Sequence, residues 1–310
     1  MTPEMKEAAA AKPEVIAPKP ECLAAAPSPD ASIKSKPGYT QMRAVVTDAD
    51  GNPIRNLTSS DFIVSADSKP LPVVYSAEEP NGRPASVMIT IDTSGSMQSK
   101  LLSVHAEFEK LLGSLNSCDD VGLIAFSGRA FVLQKLTMDH HLIVQRLTLL
   151  HAMGPTSLYD AIHSSAELLE HGMYPDHVLI VVTDGKDNTS GKSVDDVIAD
   201  GRVNHVQIYL IGIGNPASSH KGFLGFGTEE TMDKGSLDKI ALSSGGEAII
   251  VPDPEQDTNK QFAHAISKVE ARLDSGYEIG FIAPEADVRP KISIAGHPDY
   301  QTSFIDRPVS

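Results

Sequence analysis

The pattern of hydrophobic and polar positions divides the chain into a central region and two similar flanks. Over residues 38–84, short alternating stretches are separated by turn signals such as the one at Gly51, which is typical of β-hairpins. Over 85–274, short apolar runs alternate with amphipathic segments, and over 275–310 the hairpin-like pattern returns. We therefore expect an α/β domain at 85–274, inserted into a small β-sandwich-like element that the two flanks form together.

The central region shows the strand and helix order of a doubly wound sheet. The apolar runs predict strands at 86–92, 121–127, 129–137, 177–183 with a turn at 184–185, 206–214 and 247–253. The amphipathic segments predict helices at 99–115, 139–150, 157–172, 193–204, 236–246 and 255–273. This order favours a mainly parallel, six-stranded, Rossmann-like sheet with helices on both faces, in which 129–137 is a hairpin partner at the edge.

The first residues differ from the rest in composition. Residues 1–37 are rich in Pro, Ala, Glu and Lys and contain few large apolar groups, so we expect a disordered tail. The tail lacks the apolar core of a secretory signal. Taken literally, this N-terminus predicts a cytoplasmic protein, whereas a removed upstream signal would place the protein outside the cell or in the periplasm.

Charge and composition exclude several classes of partner. The 26 basic and 41 acidic residues give a formal charge of -15, and no Lys/Arg-rich run is present, which disfavours nucleic acid and anionic membranes. No apolar run approaches the roughly 20 residues of a membrane span. The two cysteines, Cys22 and Cys118, lack zinc-site spacing, and we expect thiols rather than a disulfide between the tail and the domain.

Short oxygen-bearing side chains follow the ends of two predicted parallel strands and occupy a loop between them. Asp92, Ser94 and Ser96 follow the first strand at spacings of two, so their oxygens can point to one side of an extended turn. Thr156 precedes a predicted helix, and Asp184 follows the strand that begins at residue 177. Because ligands bind at the carboxyl ends of strands in open α/β sheets, we expect these side chains to converge.

An oxygen-only set of this kind suits a hard cation such as Mg²⁺. Hydroxyls are weak donors, so the bound metal would remain electrophilic and would accept an acidic ligand from another molecule. The residues alone also allow a plainer interpretation, in which Asp92 or Ser94 caps a strand-to-helix turn and Thr156 caps the helix after it.

Three motifs together carry a resemblance to a known family. "DTSGSM" at 92–97, Thr156 in "GPTSLYDA" and Asp184 in "VVTDGKDN" resemble the metal-ion-dependent adhesion site (MIDAS) of the von Willebrand factor type A (VWA) domain. The resemblance covers about residues 85–273. The two flanks are similar to those of bacterial VWFA-related proteins.

The resemblance implies a metal-dependent protein-binding module. It implies that Ser94 and Ser96 bind Mg²⁺ directly, with Asp92 close and partly bridged by water, and that Thr156 and Asp184 alternate between direct and water-mediated contact. Mn²⁺ and Ca²⁺ are alternative ions. A partner protein would complete the metal's coordination with a Glu or Asp side chain, and in the family such binding is coupled to movement of the last helix, here 255–273.

Other functions are less well supported by the sequence. The nucleophile motif Gly-x-Ser-x-Gly, an Asp-x-Asp pair after the strand, a Walker lysine and a dinucleotide fingerprint are all absent, so we do not expect an enzyme. A structural or assembly subunit with a merely stabilising metal remains an alternative. The long loop 215–235 is a candidate partner contact, and Asp187 and Asn188 are interpreted as turn residues with a supporting role open to them.

Overall fold

The structure is a computed structural model that describes residues 22, 29–49, 51–79, 83–214, 233–251, 258–273, 275–283 and 290–306. The chain divides into two compact units. The first contains Pro84–Ser267, and the second combines Pro20–Arg83 with Lys268–Ser310.

The described residues form strands and helices in the following chain order. The strands are β1 (Tyr39–Thr47), β2 (Phe62–Ala66), β3 (Lys69–Leu71), β4 (Val73–Glu78), β5 (Ser86–Asp92), β6 (Asp120–Phe126), β7 (Ala130–Thr137), β8 (His177–Thr183), β9 (Val206–Ile213), β10 (Ala248–Val251), β11 (Tyr277–Ile282), β12 (Lys291–Ile294) and β13 (Gln301–Asp306). The helices are α1 (Ala31–Lys34), α2 (Leu101–Ser114), α3 (His140–Leu147), α4 (Leu158–Leu169), α5 (Val194–Val203), α6 (Lys234–Ser243) and α7 (Thr258–Leu273), with a 3-10 helix at Gly95–Ser99.

The first unit is built on a six-stranded sheet with the order β10-β9-β8-β5-β6-β7. All neighbours are parallel except β6 and β7, which pair antiparallel. Every residue of β5, β6 and β9 is buried, as expected for central strands covered by helices on both faces. The predicted doubly wound α/β fold, including the antiparallel edge strand, is therefore confirmed.

Some predicted boundaries differ from the observed ones for local reasons. The helix predicted from 99 begins at Leu101, after the 3-10 turn. Helix α6 begins at Lys234, two residues before its predicted start, because Asp233 caps it by accepting a hydrogen bond from the Ser236 amide.

The second unit combines strands from both flanks of the chain. Strand β1 from the N-terminal flank pairs antiparallel with β11 and β13 from the C-terminal flank, and β4 completes the sheet in the order β13-β1-β11-β4. A three-stranded sheet has the order β12-β2-β3. Buried side chains such as Met42, Phe62 and Phe281 form a shared core, in which the Phe62 and Tyr277 rings meet edge to face at 5.1 Å.

A buried charged cluster lies inside this second unit. The Arg43 side chain is 4 % exposed and donates from Nε to Glu79 Oε2 at 3.0 Å. It also donates from Nη2 to the Ser275 carbonyl at 2.8 Å. Arg83 forms ion pairs with Glu79 and with Glu278, whose carboxylate is fully buried. Charges buried this deeply are tolerated only when they are paired, so the cluster joins both flanks through polar contacts.

The prediction that the cysteines remain thiols is wrong. Cys22 and Cys118 are both disulfide-bonded, and they are the two cysteines of the chain. Each is also buried. A disulfide requires proximity of two Cβ atoms in the folded chain, and sequence separation does not report that distance.

The predicted disordered tail falls mostly outside the described residues, since residues 1–21 and 23–28 are not among them. At its C-terminal end the tail contains helix α1, with its first residue preceded by Asp30. Over the parts of the chain that the structure describes, none of the helices has the length and apolar character needed to cross a membrane.

Candidate metal centre

The first predicted ligand, Asp92, is held rigidly at the carboxyl end of β5. Its side chain is fully buried. Its Oδ1 accepts a hydrogen bond from the Ser94 amide at 2.7 Å, and its Oδ2 accepts one from Thr183 Oγ1 at 2.6 Å. Since Thr183 is the last residue of the neighbouring parallel strand β8, these bonds join the two strand ends at which the sequence places candidate ligands.

The turn after Asp92 brings two hydroxyls next to the second carboxylate. The Oγ atoms of Ser94 and Ser96 lie 3.2 Å apart. Ser96 Oγ donates to Asp184 Oδ1 at 2.8 Å, although the two residues are 88 positions apart in the chain. The structure therefore brings Asp92, Ser94, Ser96 and Asp184 to one edge of the sheet.

Thr156 lies on a loop that is hydrogen-bonded to both of the other motifs. The Thr156 amide donates to Asn188 Oδ1, and the Asn188 amide donates to the Thr156 carbonyl, both at 3.0 Å. On the other side, the Gly95 amide donates to the Gly154 carbonyl at 3.1 Å. Gly154 has a φ of 83°, which is a left-handed conformation that favours glycine. Thr156 itself is 1 % exposed.

Lys100, which the sequence motifs do not include, is also part of this centre. Lys100 Nζ donates to Asp184 Oδ2 at 2.6 Å, and the Lys100 side chain is 11 % exposed. Both carboxylate oxygens of Asp184 are thus engaged, one by the ammonium and one by the Ser96 hydroxyl. In the sequence, the one feature that could have pointed to Lys100 is its position, eight residues after Asp92 and directly before helix α2.

Other supporting residues were also missed or undervalued. Thr183 was not singled out, and it orients Asp92. Asn188, interpreted as a turn residue, holds the backbone of Thr156. Asp187 Oδ2 accepts a hydrogen bond from the Tyr159 amide in the first turn of α4 at 3.2 Å. Most of the candidate partner loop, residues 215–232, lies outside the described residues.

The chemistry of the donor set fits a hard cation. Two carboxylates and the hydroxyls of Ser94 and Ser96 supply only oxygen, which suits Mg²⁺, Mn²⁺ or Ca²⁺ better than zinc. Within the described ranges, no group of three or more His, Cys, Asp or Glu side chains could hold a metal ion. A metal here would therefore depend on neutral hydroxyls and water to complete its coordination.

Burial raises the pKa of Asp92 to about 6. The cause is mainly the loss of solvation of the carboxylate, and the negative charge of Asp184 adds to it. Hydrogen bonds from Thr183 and Ser94 act in the opposite direction and hold the pKa lower than burial alone would. A nearby cation would favour the ionised carboxylate, so a bound metal would lower the pKa of Asp92 again.

We expect the Asp92→Asn variant to be more stable than the wild type in EDTA at pH 7.5. The pKa of this carboxyl group rises from its ordinary value of 3.8 to about 6 in the fold, a difference worth about 3 kcal/mol of unfolding free energy. Asparagine keeps the acceptor for the Ser94 amide, and the Thr183 hydroxyl can donate to the Gly185 carbonyl instead, at 3.5 Å. Urea unfolding followed by circular dichroism measures the gain.

The pH dependence of this gain provides its control. Because the pKa of Asp92 is raised on folding, the contribution of its protonated form to stability is complete below about pH 4 and is lost as the pH rises through about 6. Wild type and Asp92→Asn should therefore differ least at pH 4 and most above pH 7. A variant that is destabilised equally at both pH values would contradict this account of the buried carboxylate.

Comparison with known proteins identifies the family of the chain. Residues 86–264 match the von Willebrand factor type A domain. The chain belongs to the VWA family. The matched residues contain β5 to β10, and also all three motifs that form the candidate centre.

One relative and two solved structures are similar to parts of the chain. Inter-alpha-trypsin inhibitor heavy chain H4 from Sus scrofa is 30% identical over 175 residues, which cover 53% of this chain and 18% of that relative. A von Willebrand factor type A protein from Catenulispora acidiphila has a TM-score of 0.50 at 14% identity, covering 89% of this chain and 67% of that one. Proximal thread matrix protein 1 from the mussel byssus has a TM-score of 0.50 at 15% identity, covering 71% and 51%.

These similarities differ in what they show. The chain spans less than a fifth of the length of the porcine relative, so that protein's activity as a whole does not transfer to this chain. At 14% and 15% identity, the two structures support the fold alone. VWA domains in general mediate protein–protein interaction, and this coarse function applies to the family to which the chain belongs.

Proposed function

We propose that this VWA protein binds a protein partner through a divalent metal ion, Mg²⁺ in the first instance, to which the partner supplies a Glu or Asp side chain. The observation that carries the proposal is the contact of Ser96 Oγ with Asp184 Oδ1 at 2.8 Å, beside Ser94 Oγ at 3.2 Å. These oxygens come from two distant segments and meet at the carboxyl edge of the sheet, where ligands of open α/β folds bind.

Asp92, Ser94, Ser96, Thr156 and Asp184 would hold the metal. When bound, the ion would supply a positive centre that accepts a carboxylate. Asp92 orients the turn through the Ser94 amide, and Asn188 keeps the Thr156 loop in place. Two protein carboxylates would balance the charge of a divalent ion without leaving a net negative charge, so the centre would not repel an acidic group of the partner.

The hydrogen-bond partners of the two serines favour binding rather than catalysis. The Ser94 and Ser96 hydroxyls contact each other, and the Ser96 hydroxyl donates to Asp184. Among the described residues, none of the hydrogen bonds of these two hydroxyls joins them to a histidine that could act as a base. Ser94 and Ser96 are therefore proposed as neutral ligands and not as nucleophiles.

A second candidate is a structural or assembly subunit in which the metal is only stabilising. The ion pair of Lys100 and Asp184 is the observation that keeps this alternative open, because it shows that contacts within the chain already hold the turn together without a partner. The two candidates differ in the effect of the metal. In the first the metal is required for partner binding, and in the second it changes only the stability of the fold.

Affinity capture tests the proposed function. The immobilised protein should retain a specific partner from extract of the source organism in Mg²⁺, and should lose it in EDTA. The Asp184→Ala variant should lose the same partner even in Mg²⁺, since one ligand is removed. Retention should be unchanged in Asp195→Ala, which removes a carboxylate whose side chain is 83% exposed.

The result of this capture separates the candidates. A partner that binds equally well in EDTA, while Mg²⁺ still raises the melting temperature, would indicate the structural subunit. A partner recovered in EDTA together with no thermal response to any divalent ion would contradict a metal centre of either kind.

A further inference from the structure

The candidate centre already contains one positively charged side chain, that of Lys100. Lys100 Nζ lies 2.6 Å from Asp184 Oδ2, and the carboxylate of Asp184 is completely buried while the lysine side chain is 11 % exposed. An ion pair that is this short and this little exposed interacts more strongly than a surface pair, because water screens it less.

The ammonium bonds to a carboxylate that would also hold the proposed metal. Asp184 Oδ1 accepts the Ser96 hydroxyl, and this bond is compatible with a metal because the Ser96 oxygen keeps a lone pair for it. Asp184 Oδ2 is the remaining oxygen, and Lys100 Nζ bonds to it. An ammonium carries a positive charge and no acceptor, so it would repel a metal bound to the same carboxylate and would compete with it for Asp184.

We propose that Lys100 is a built-in counter-ion that competes with the divalent metal for Asp184 and so sets the metal affinity of the centre. The inference rests on the proposed metal-binding function. In the metal-free protein the lysine neutralises Asp184 and keeps the turn assembled. On metal binding its ammonium leaves Asp184 Oδ2, while the flexible four-carbon stem allows it to stay close to the centre.

The displaced lysine also changes the charge that a partner meets. Asp92 and Asp184 together with one divalent ion have a formal charge of zero, and Lys100 adds one positive charge beside them. The loaded centre would thus be cationic, and one carboxylate from a partner would neutralise it. Lys100 would therefore weaken the binding of the metal and strengthen the subsequent binding of an acidic partner.

The test compares metal binding by calorimetry in the full chain and its Lys100 variants. Lys100→Met keeps the length and the apolar stem but removes the charge, and we expect it to bind Mg²⁺ at least about tenfold more tightly than the wild type. Lys100→Arg keeps the charge and should remain within about threefold of the wild type. Lys110→Met is the matched control, because Lys110 is 69% exposed and pairs with Glu107, and it should leave the affinity unchanged.

A second readout uses the wild-type protein alone, in case Lys100→Met folds poorly. In ¹⁵N NMR, the Lys100 ammonium should give a protected signal in EDTA, because its hydrogen bond to Asp184 slows exchange with water. Addition of Mg²⁺ should remove that protection. A signal that persists unchanged at saturating Mg²⁺ would overturn the proposal.

The outcomes distinguish this inference from the function on which it rests. If wild type binds Mg²⁺ and Lys100→Met binds it equally or more weakly, the competition is refuted and the metal centre stands. If neither protein binds any divalent ion, the proposed function fails as well. Binding by Lys100→Met alone would support the competition and show that the lysine closes the wild-type centre to the metal.

Discussion

The Asp184→Ala variant should lose the stabilisation that Mg²⁺ gives to the wild type. At a Mg²⁺ concentration of about 100 times the dissociation constant, the wild type should gain about 2.7 kcal/mol, which corresponds to roughly 5–10 °C in melting temperature. The variant removes the carboxylate that bonds to Ser96 and leaves the Lys100 ammonium in the centre without its partner. Both effects disfavour a cation, so we expect a gain below about 0.5 kcal/mol. Differential scanning fluorimetry with and without Mg²⁺ measures it.

The matched control for this variant is Asp195→Ala. The Asp195 carboxylate is 83% exposed and pairs with Lys239 on the surface. Its removal should leave the Mg²⁺ gain intact and change the melting temperature little, since exposed ion pairs contribute about 1 kcal/mol at most. A full Mg²⁺ response in Asp184→Ala, equal to that of Asp195→Ala, would remove Asp184 from the set of ligands.

The Arg43→Ala variant should destabilise the second unit of the protein. Arg43 is buried with Glu79 and donates to the carbonyls of Leu273 and Ser275. Removal of the Arg43 guanidinium takes one donor from the Glu79 carboxylate and from both carbonyls. Breaking a buried ion pair in this way lowers the free energy of unfolding by about 3–5 kcal/mol. We expect the lower end, about 3 kcal/mol, because Arg83 still pairs with Glu79.

Hydrogen exchange measures this effect within the unit. The amides that join β1 to β11 should exchange roughly 100-fold faster in Arg43→Ala than in the wild type, because local opening becomes easier by that free energy. Arg55→Ala is the control in the same unit, since Arg55 is 44% exposed in its pair with Glu78 at 3.4 Å and should cost less than about 0.5 kcal/mol. Equal exchange rates in both variants would show that the buried cluster contributes no more than the surface pair.

The sheet was predictable because its signal is local and strong. Central strands such as β5 and β9 are buried on both faces and appear as continuous apolar runs, which the sequence displays directly. The proximity of Asp92, Ser94, Ser96 and Asp184 was also predictable, because the first three share one turn and Asp184 follows the neighbouring parallel strand. Whether these residues bind a metal stays a prediction.

The contacts that support the centre were not predictable in the same way. Lys100 reaches Asp184 across 84 positions, and Thr183 reaches Asp92 across 91. Side chains of these types occur throughout any soluble protein, so only the folded geometry distinguishes them. The disulfide bonding of Cys22 and Cys118 was mispredicted for the same reason, since it depends on distances in the folded chain.

Titration with Mn²⁺, followed by electron paramagnetic resonance, tests the metal centre most directly. Mn²⁺ prefers the same oxygen ligands as Mg²⁺, and its signal from free solution is lost on binding. The wild type should remove about one Mn²⁺ per chain from the free signal, excess Mg²⁺ should release it, and Asp184→Ala should remove none. A free signal that is the same with the wild type, with Asp184→Ala and with buffer alone would contradict the existence of the centre.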